Sequence, residues 1–265
     1  MPTAPTSSLY DSRSPLERFA QRLRSGLCRA GETWKVWMQP RPRISWDASP
    51  ALCRTWQQCW GESYGPELKR WTLQPVFDEL DEQGKIGELI VDIGSGATPV
   101  TRLLRTEGGR RRILVDIASD NGRSGDEQRI RLDVETVANP ATLSFRKALV
   151  RVCRFLQIDP KSQADAGRAN TIVISDLLNY VDFSSVLRGF ANFLKPGGRF
   201  IISNLPMRGN EALFCERGLK DNHDLYRFLE EERFEIEHKS FPCRARGETE
   251  ESHEFVVIVA RKRGT

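Results

Sequence analysis

With 265 residues, 39% of them hydrophobic, the chain is long enough for one large domain or for one domain with an appended cap. No stretch approaches the roughly 20 apolar residues of a membrane-spanning helix, and the N-terminus lacks the apolar core of a secretory signal. The 40 lysines and arginines are interspersed with 36 acids for a net charge of +4, a dispersed pattern that argues against a nucleic-acid surface, where charge is concentrated.

Residues 1–13 are rich in proline, serine and threonine and read as a disordered tail. Asp11 and Glu17 argue against a transit peptide. Ser14-Pro15-Leu16-Glu17 has the form of a helix start, with Ser14 as cap, Pro15 at the first helical position and Glu17 closing a capping box. Leu16, Phe19, Ala20, Leu23 and Leu27 follow at helical spacing, and Gly31 can end the helix. Such a stripe must cover something: the domain that follows, or a partner chain, a second copy of this one included. All six tryptophans (Trp34, Trp37, Trp46, Trp56, Trp60 and Trp71) precede residue 72, a composition shift that marks residues 14–84 as an N-terminal helical cap. Large aromatics fill cores and also line pockets. Pro40, Pro42 and Pro50 make residues 39–50 an irregular crossing. A further helix begins near Pro66, with Pro75 placed to break or kink it and Gly84 and Gly87 to end it.

From residue 85 apolar strands and amphipathic helices alternate. Strands are predicted at Leu89–Ile93, Arg112–Ile117, Ile130–Val134, Thr171–Ser175 and Phe200–Ser203. Helices are predicted near Pro99–Thr106, Leu143–Leu156, Ser184–Leu194 and 221–232, the last capped by Asp221; residues 118–128 are too polar and glycine-rich for one. Phe234–Phe241 and Phe255–Arg261 then make an antiparallel strand pair. Alternation of this kind gives a mostly parallel sheet with helices on both faces.

Leu89-Ile90-Val91-Asp92-Ile93-Gly94-Ser95-Gly96-Ala97-Thr98-Pro99 is a buried strand running into a glycine turn, where missing side chains let a ligand touch the backbone. In open α/β sheets ligands bind beyond the carboxyl ends of the strands. A dinucleotide site wants a third glycine where Pro99 stands. The acids at fixed intervals say more. Asp116 ends the second strand about twenty residues beyond the loop, where a carboxylate can accept from ribose hydroxyls. Asp133 ends the third strand and is followed by Val134, a pairing suited to an adenine amine and ring face. Asp176 ends the fourth. With Asp92, four successive strands each present an acid at or near the carboxyl end; the common occurrence of aspartate at turns accounts poorly for that sequence of four.

Glu88–Pro99, Ile113–Ile117, Arg131–Glu135, Thr171–Tyr180 and Phe193–Ser203, with the Leu194-Lys195-Pro196-Gly197-Gly198-Arg199-Phe200 turn, resemble the successive motifs of class I S-adenosylmethionine-dependent methyltransferases. The resemblance spans about residues 85–205, and the final helix and strand pair agree in order. It implies a Rossmann-like three-layer α/β sandwich with a seven-stranded sheet and an antiparallel final strand, in residues 85–265. It implies that Gly94, Ser95 and Gly96 cradle the methionine end of S-adenosylmethionine, that Asp116 with Ile117 takes the ribose and Asp133 with Val134 the adenine, that Ser175 borders the cofactor, and that Asp92 organises the loop or reaches the amino group through water. The segment after Asp116 lacks the family's helix, and Val134–Asn170 is longer than the family needs.

Methyl transfer is an in-line displacement, so a site must mainly align its reactants and exclude water. Asp176, Asn179 and Tyr180 form the expected acceptor wall, with Leu178 and Asn204 beside them; asparagine and tyrosine orient better than they deprotonate. His223, His238 and His253 read as structural or solvated. Cys28, Cys53, Cys59, Cys153, Cys215 and Cys243 contain no C-x-x-C pair, so no metal site is expected and reduced thiols fit a cytoplasmic protein. The chain reads as a methyltransferase of a small-molecule acceptor at oxygen or nitrogen. RNA or protein acceptors, a cofactor-binding partner subunit without turnover, and a nicotinamide oxidoreductase are the competing readings.

Overall fold

Short aliphatic runs flanked by charged turns build a single mixed sheet in the computed structural model, which describes residues 66–96, 98–104, 109–117, 122–135, 168–206, 215–242 and 254–264. The helices expected at 14–27 and 143–156, and every tryptophan but Trp71, lie outside these described residues.

The strands are β1 Leu89–Ile93, β2 Arg111–Asp116, β3 Gly122–Ser124, β4 Glu127–Arg131, β5 Ala169–Ser175, β6 Leu194–Asn204, β7 Phe234–Ser240 and β8 Val256–Lys262, in the order β3-β4-β2-β1-β5-β6-β8-β7. From β4 to β6 every pairing is parallel; β8 runs antiparallel to both β6 and β7. Seven of the eight strands make the Rossmann-like sheet expected from the sequence, with its antiparallel last strand; β3 is an added edge. All five residues of β1 are buried, as a central strand covered on both faces requires. Strand order reverses direction between β1 and β5, which opens a crevice beyond their carboxyl ends.

Helix α1, Pro66–Glu82, buries Leu73, Val76, Phe77 and Leu80 and leaves Trp71 53% exposed. It runs through Pro75 instead of ending there. The physical reason is magnitude: an internal proline costs about 3 kcal/mol, whereas each large apolar side chain buried contributes about 1.5–3 kcal/mol. The helix closes with Lys85 N donating to Leu80 O. Helix α2, Phe183–Ala191, is capped by Asp182, and α3, Asn222–Glu231, by Asp221, each carboxylate accepting a first-turn N–H. Among the described residues no helix is long and apolar enough to cross a membrane.

Three elements differ from the sequence reading. The helix expected at Pro99–Thr106 is a 3-10 turn, Val100–Leu103, because Asp92 takes the N–H and hydroxyl of Thr101 and Arg112 donates to its carbonyl. Within the stretch read as too polar for a helix, Gly122–Ser124 pairs with Glu127–Arg131 as a hairpin, β3–β4, so the third parallel strand is Glu127–Arg131 and not Ile130–Val134. Its charges are absorbed by ion pairs, Arg102 with Glu127 and Arg112 with Asp126, that hydropathy does not register. Strand β6 begins at Leu194, ahead of the predicted Phe200, since the Lys195–Gly198 turn is held in the sheet as an irregularity opposite Ala169–Thr171.

Candidate functional site

The carboxyl ends of the parallel strands meet at one edge of the sheet, and the glycine loop lies at its centre. Gly94 and Gly96 hold left-handed backbone angles, φ 69° and 58°, that glycine adopts more readily than any residue with a side chain. Gly94 N and Ser95 N both donate to Val115 O, at 2.8 and 3.2 Å, which stitches the loop to β2. A β-carbon at Gly94 would lie 3.1–3.3 Å from the Leu177 side chain, whereas one at Gly96 would meet nothing within 4 Å among the described residues. Gly96 therefore borders open space. Its N–H donates to Asp116 Oδ2 at 2.9 Å, joining the loop to the acid twenty residues on.

Asp92 lies beneath the loop, 1% exposed. Its Oδ2 accepts from Thr101 N at 3.1 Å and Thr101 Oγ1 at 2.9 Å, while its buried Oδ1 has no partner. Burial pushes the carboxyl up from 3.8 to about 6, against the opposing effect of the Thr101 bonds and the charge of Lys69. Between these two values the folded protein binds more protons at Asp92 than the unfolded chain. Stability contributed by this group therefore falls as pH rises from about 4 to above 6, by roughly 3 kcal/mol in all. Asp92→Asn is expected to flatten that slope in urea-melt free energies measured from pH 5 to 8; a variant with the wild-type slope contradicts the assignment. Asp126, Glu127, Asp182 and Glu237 are held below the usual carboxylate range by their arginine or N-cap bonds, so their contributions are lost only at lower pH.

Asp133 sits two residues past β4, in the loop and not at the strand end, and its Oδ1 accepts from Glu135 N at 3.0 Å. Leu132 N donates to Asp116 O at 3.2 Å, so the tips of β2 and β4 stay together. Val134 is buried and Ile117 half-buried beside these acids in sequence. Glu135 Oε1 accepts from Asp182 N at 3.0 Å, which ties this loop to the start of α2.

On the other flank, Ser175 ends β5 and donates to Asp176 Oδ2 at 3.2 Å. Asp176 itself has φ 52°. Asn179, expected on the acceptor wall, is buried with both ends of its amide engaged: Nδ2 donates to Leu205 O at 2.8 Å, and Oδ1 accepts from Asn204 Nδ2 at 3.0 Å. It is a brace between the β5 and β6 exits. Asn179→Ala leaves the Leu205 carbonyl and the Asn204 amide without these bonds and is expected to cost about 2 kcal/mol in urea unfolding; a loss below about 0.5 kcal/mol would contradict the brace. Tyr180 is half-buried, and burial together with the Asp176 charge pushes its phenol up, so it stays protonated. His223 pairs with Asp221 at the start of α3, and His238 Nε2 bonds Ser240 in β7; His253 lies outside the described residues.

Sequence reasoning missed Lys69, Thr101, Leu177 and Ser203. Lys69 reaches from α1 to Thr98 O at 3.0 Å, and Ser203 Oγ donates to Ser175 Oγ at 2.9 Å. Thr101 and Leu177 lie within or beside the quoted motifs, but nothing in a pattern of acids and glycines marks them. Lys69 is 29 residues from its partner and carried no local signal.

No protein-family model and no curated protein matches this chain. Solved structures do. The 1,6-didemethyltoxoflavin-N1-methyltransferase of Burkholderia thailandensis, with bound 1,6-didemethyltoxoflavin and S-adenosylhomocysteine, aligns at TM-score 0.50 and 16% identity, covering 85% of this chain and 94% of that one. The N-methyltransferase NodS of Bradyrhizobium japonicum WM9 aligns at TM-score 0.46 and 12% identity over 75% of this chain and 99% of its own. An S-adenosylmethionine-dependent methyltransferase of Mesorhizobium loti aligns at TM-score 0.46 and 17% identity over 73% and 98%. At such identities the likeness is one of fold, and it rests on the first of the three: the sheet has the Rossmann-like arrangement of the B. thailandensis enzyme.

Proposed function

We propose that the chain is an S-adenosylmethionine-dependent methyltransferase acting on a small-molecule acceptor. The observation that carries this reading is the bond from Gly96 N to Asp116 Oδ2, which puts a left-handed glycine loop and a ribose-type carboxylate at one open point of the sheet edge. The residues also fit the cofactor by what they lack. Among the described residues, Asp92 Oδ1 and Ser95 Oγ are buried polar atoms without hydrogen-bond partners, and no atom lies within 4 Å of a β-carbon placed on Gly96. Unmet buried polar groups are uncommon and mark sites that a ligand or water completes.

S-adenosylmethionine supplies a methyl group on positively charged sulfur. In this reading Gly94, Ser95 and Gly96 hold its amino-acid end through main-chain amides, with Asp92 beneath them. Asp116 and Ile117 hold the ribose. Asp133 and Val134 hold the adenine, and Ser175 closes the β5 side. Asp176 and Tyr180 orient the acceptor above Asn179. The protein's work is alignment, for which fixed geometry is the main source of rate.

A small acceptor is favoured over RNA by the state of the arginines. Arg102, Arg110, Arg112, Arg188, Arg199, Arg217, Arg227 and Arg261 are each paired with a carboxylate, so the Arg110–Arg112 cluster is largely spent inside the fold. The B. thailandensis enzyme, which holds 1,6-didemethyltoxoflavin, is a small-molecule example on this fold. Isothermal titration tests the reading: S-adenosylhomocysteine is expected to give saturable heat at micromolar concentration and NAD none. Absence of heat with S-adenosylhomocysteine at high micromolar concentration overturns it.

A further inference from the structure

Lys69 lies in the first turn of α1, and its Nζ donates to Thr98 O at 3.0 Å and to Thr98 Oγ1 at 3.4 Å. The residue is half-buried, and both partners are neutral oxygens. Among the described residues Lys69 has no ion pair, whereas the arginines named above each have one. Its position works against the helix, since a cation in a first turn meets the positive end of the helix dipole. An ammonium carries three N–H donors, so Thr98 does not exhaust it. The charge of Lys69 acts on Asp92, yet the two groups do not bond each other. Asp92 Oδ2 is taken by Thr101 N and Thr101 Oγ1, and Oδ1 has no hydrogen-bond partner among the described residues. One short segment, residues 98–101, thus tethers an unpaired cation and a half-satisfied carboxylate beside the glycine loop. Leaving either charge without a partner away from water is costly. A group that carries one charge of each sign would satisfy both, and an α-amino acid zwitterion has that form.

Resting on the methyltransferase reading above, we propose that Lys69 binds the carboxylate at the amino-acid end of S-adenosylmethionine, with the ammonium of that end on the Asp92 side of the loop. Near neutral pH this end has one ammonium and one carboxylate. Main-chain amides meet it as neutral donors, whereas a lysine adds a charge-assisted bond about twice as strong as a neutral one. No covalent step is involved, and the contribution is one of recognition. Helix α1 thereby joins the cofactor site, and the cofactor's carboxyl group becomes a determinant of affinity. A nucleoside thioether that keeps the amine but lacks the carboxyl loses the Lys69 bond and little else.

Titration calorimetry near neutral pH with three ligands separates the outcomes: S-adenosylhomocysteine, its decarboxylated form S-adenosyl-3-thiopropylamine, and 5′-methylthioadenosine, which lacks the amino-acid end. Wild-type protein is expected to bind S-adenosylhomocysteine at least about tenfold more tightly than the decarboxylated form. Lys69→Met should remove most of that preference, weakening S-adenosylhomocysteine at least about tenfold and leaving the other two ligands within about twofold of wild type. Lys69→Gln keeps an N–H donor for Thr98 O without the charge and should behave as Lys69→Met does. A wild-type protein without the preference, or variants that bind S-adenosylhomocysteine as the wild type does, overturn the Lys69 assignment alone. So does equal weakening of all three ligands, which would mean that Lys69 only ties the loop. Protein that binds neither S-adenosylhomocysteine nor 5′-methylthioadenosine overturns the methyltransferase reading with it.

Discussion

Replacing Asp116 by alanine is expected to weaken S-adenosylhomocysteine binding at least about 100-fold, or about 2.7 kcal/mol, with the fold intact. Asp116 is half-buried at the end of β2, and its Oδ2 accepts the Gly96 N–H at 2.9 Å. The variant loses that anchor of the loop and the carboxylate proposed to accept from the ribose. Hydrogen bonds to a charged group contribute about 1.5–3 kcal/mol each, so loss of two suffices for the predicted change. Asp116→Asn retains an oxygen that can accept from Gly96 and should lose only about tenfold. Circular dichroism should show both variants folded, with urea unfolding of Asp116→Ala lowered by about 1.5–3 kcal/mol for the lost Gly96 bond and Asp116→Asn within about 1 kcal/mol of wild type. Wild-type affinity in Asp116→Ala, measured by titration calorimetry, would show that Asp116 merely ties the loop.

The second large effect is on stability. Gly218 is buried in the segment that follows the described gap after residue 206, and a β-carbon there would lie 2.2 Å from Asn179 O, 2.8 Å from Asn179 C and 2.9 Å from Cys215 O. All three are backbone atoms, so no side chain can swing aside. The contact is tight for a reason. Cys215 N donates to Asn179 O at 3.1 Å and Leu219 N to Leu178 O at 2.8 Å, laying the segment 215–219 along the back of the β5 exit. Overpacking costs about 1–3 kcal/mol where neighbours can adjust. Here two backbones must separate and their hydrogen bonds lengthen. Gly218→Ala is therefore expected to cost at least about 3 kcal/mol in urea unfolding. In that variant Asn179 shifts with its backbone, so any activity should fall more than S-adenosylhomocysteine affinity, since Gly96 and Asp116 lie across β1 from the disturbance. A loss under about 1 kcal/mol would contradict the packing described for this segment.

These two effects also mark where the sequence could be read and where it could not. The glycine loop and the acids were legible because each sits next to an apolar run, and because a parallel sheet delivers every strand's carboxyl end to one edge; chain order alone then predicts that Gly96 and Asp116 meet. The antiparallel last strand followed from the two apolar runs after residue 233. What escaped was set by contacts between distant segments. The 3-10 turn replaces a helix because Asp92 and Arg112 capture Thr101, and neither capture has a period. The β3–β4 hairpin was hidden because Arg102–Glu127 and Arg112–Asp126 neutralise charges that hydropathy counts as loop. Helix α1 survives Pro75 through burial that only the assembled sheet supplies. On the acceptor side, residues 176, 179 and 180 were legible as polar groups at the exit of β5. Their division of labour was not, since the bonds from Asn179 to Leu205 and Asn204 depend on where β6 ends.

A crystal structure of the protein grown with S-adenosylhomocysteine tests the central claim most directly. The account predicts the nucleoside beyond the carboxyl ends of β1, β2 and β4, with its ribose hydroxyls within hydrogen-bond distance of Asp116, its adenine beside Asp133 and Val134, and its amino-acid end against the amides of Gly94 to Gly96. Density for the ligand on any other face, or a ribose that Asp116 does not touch, contradicts it.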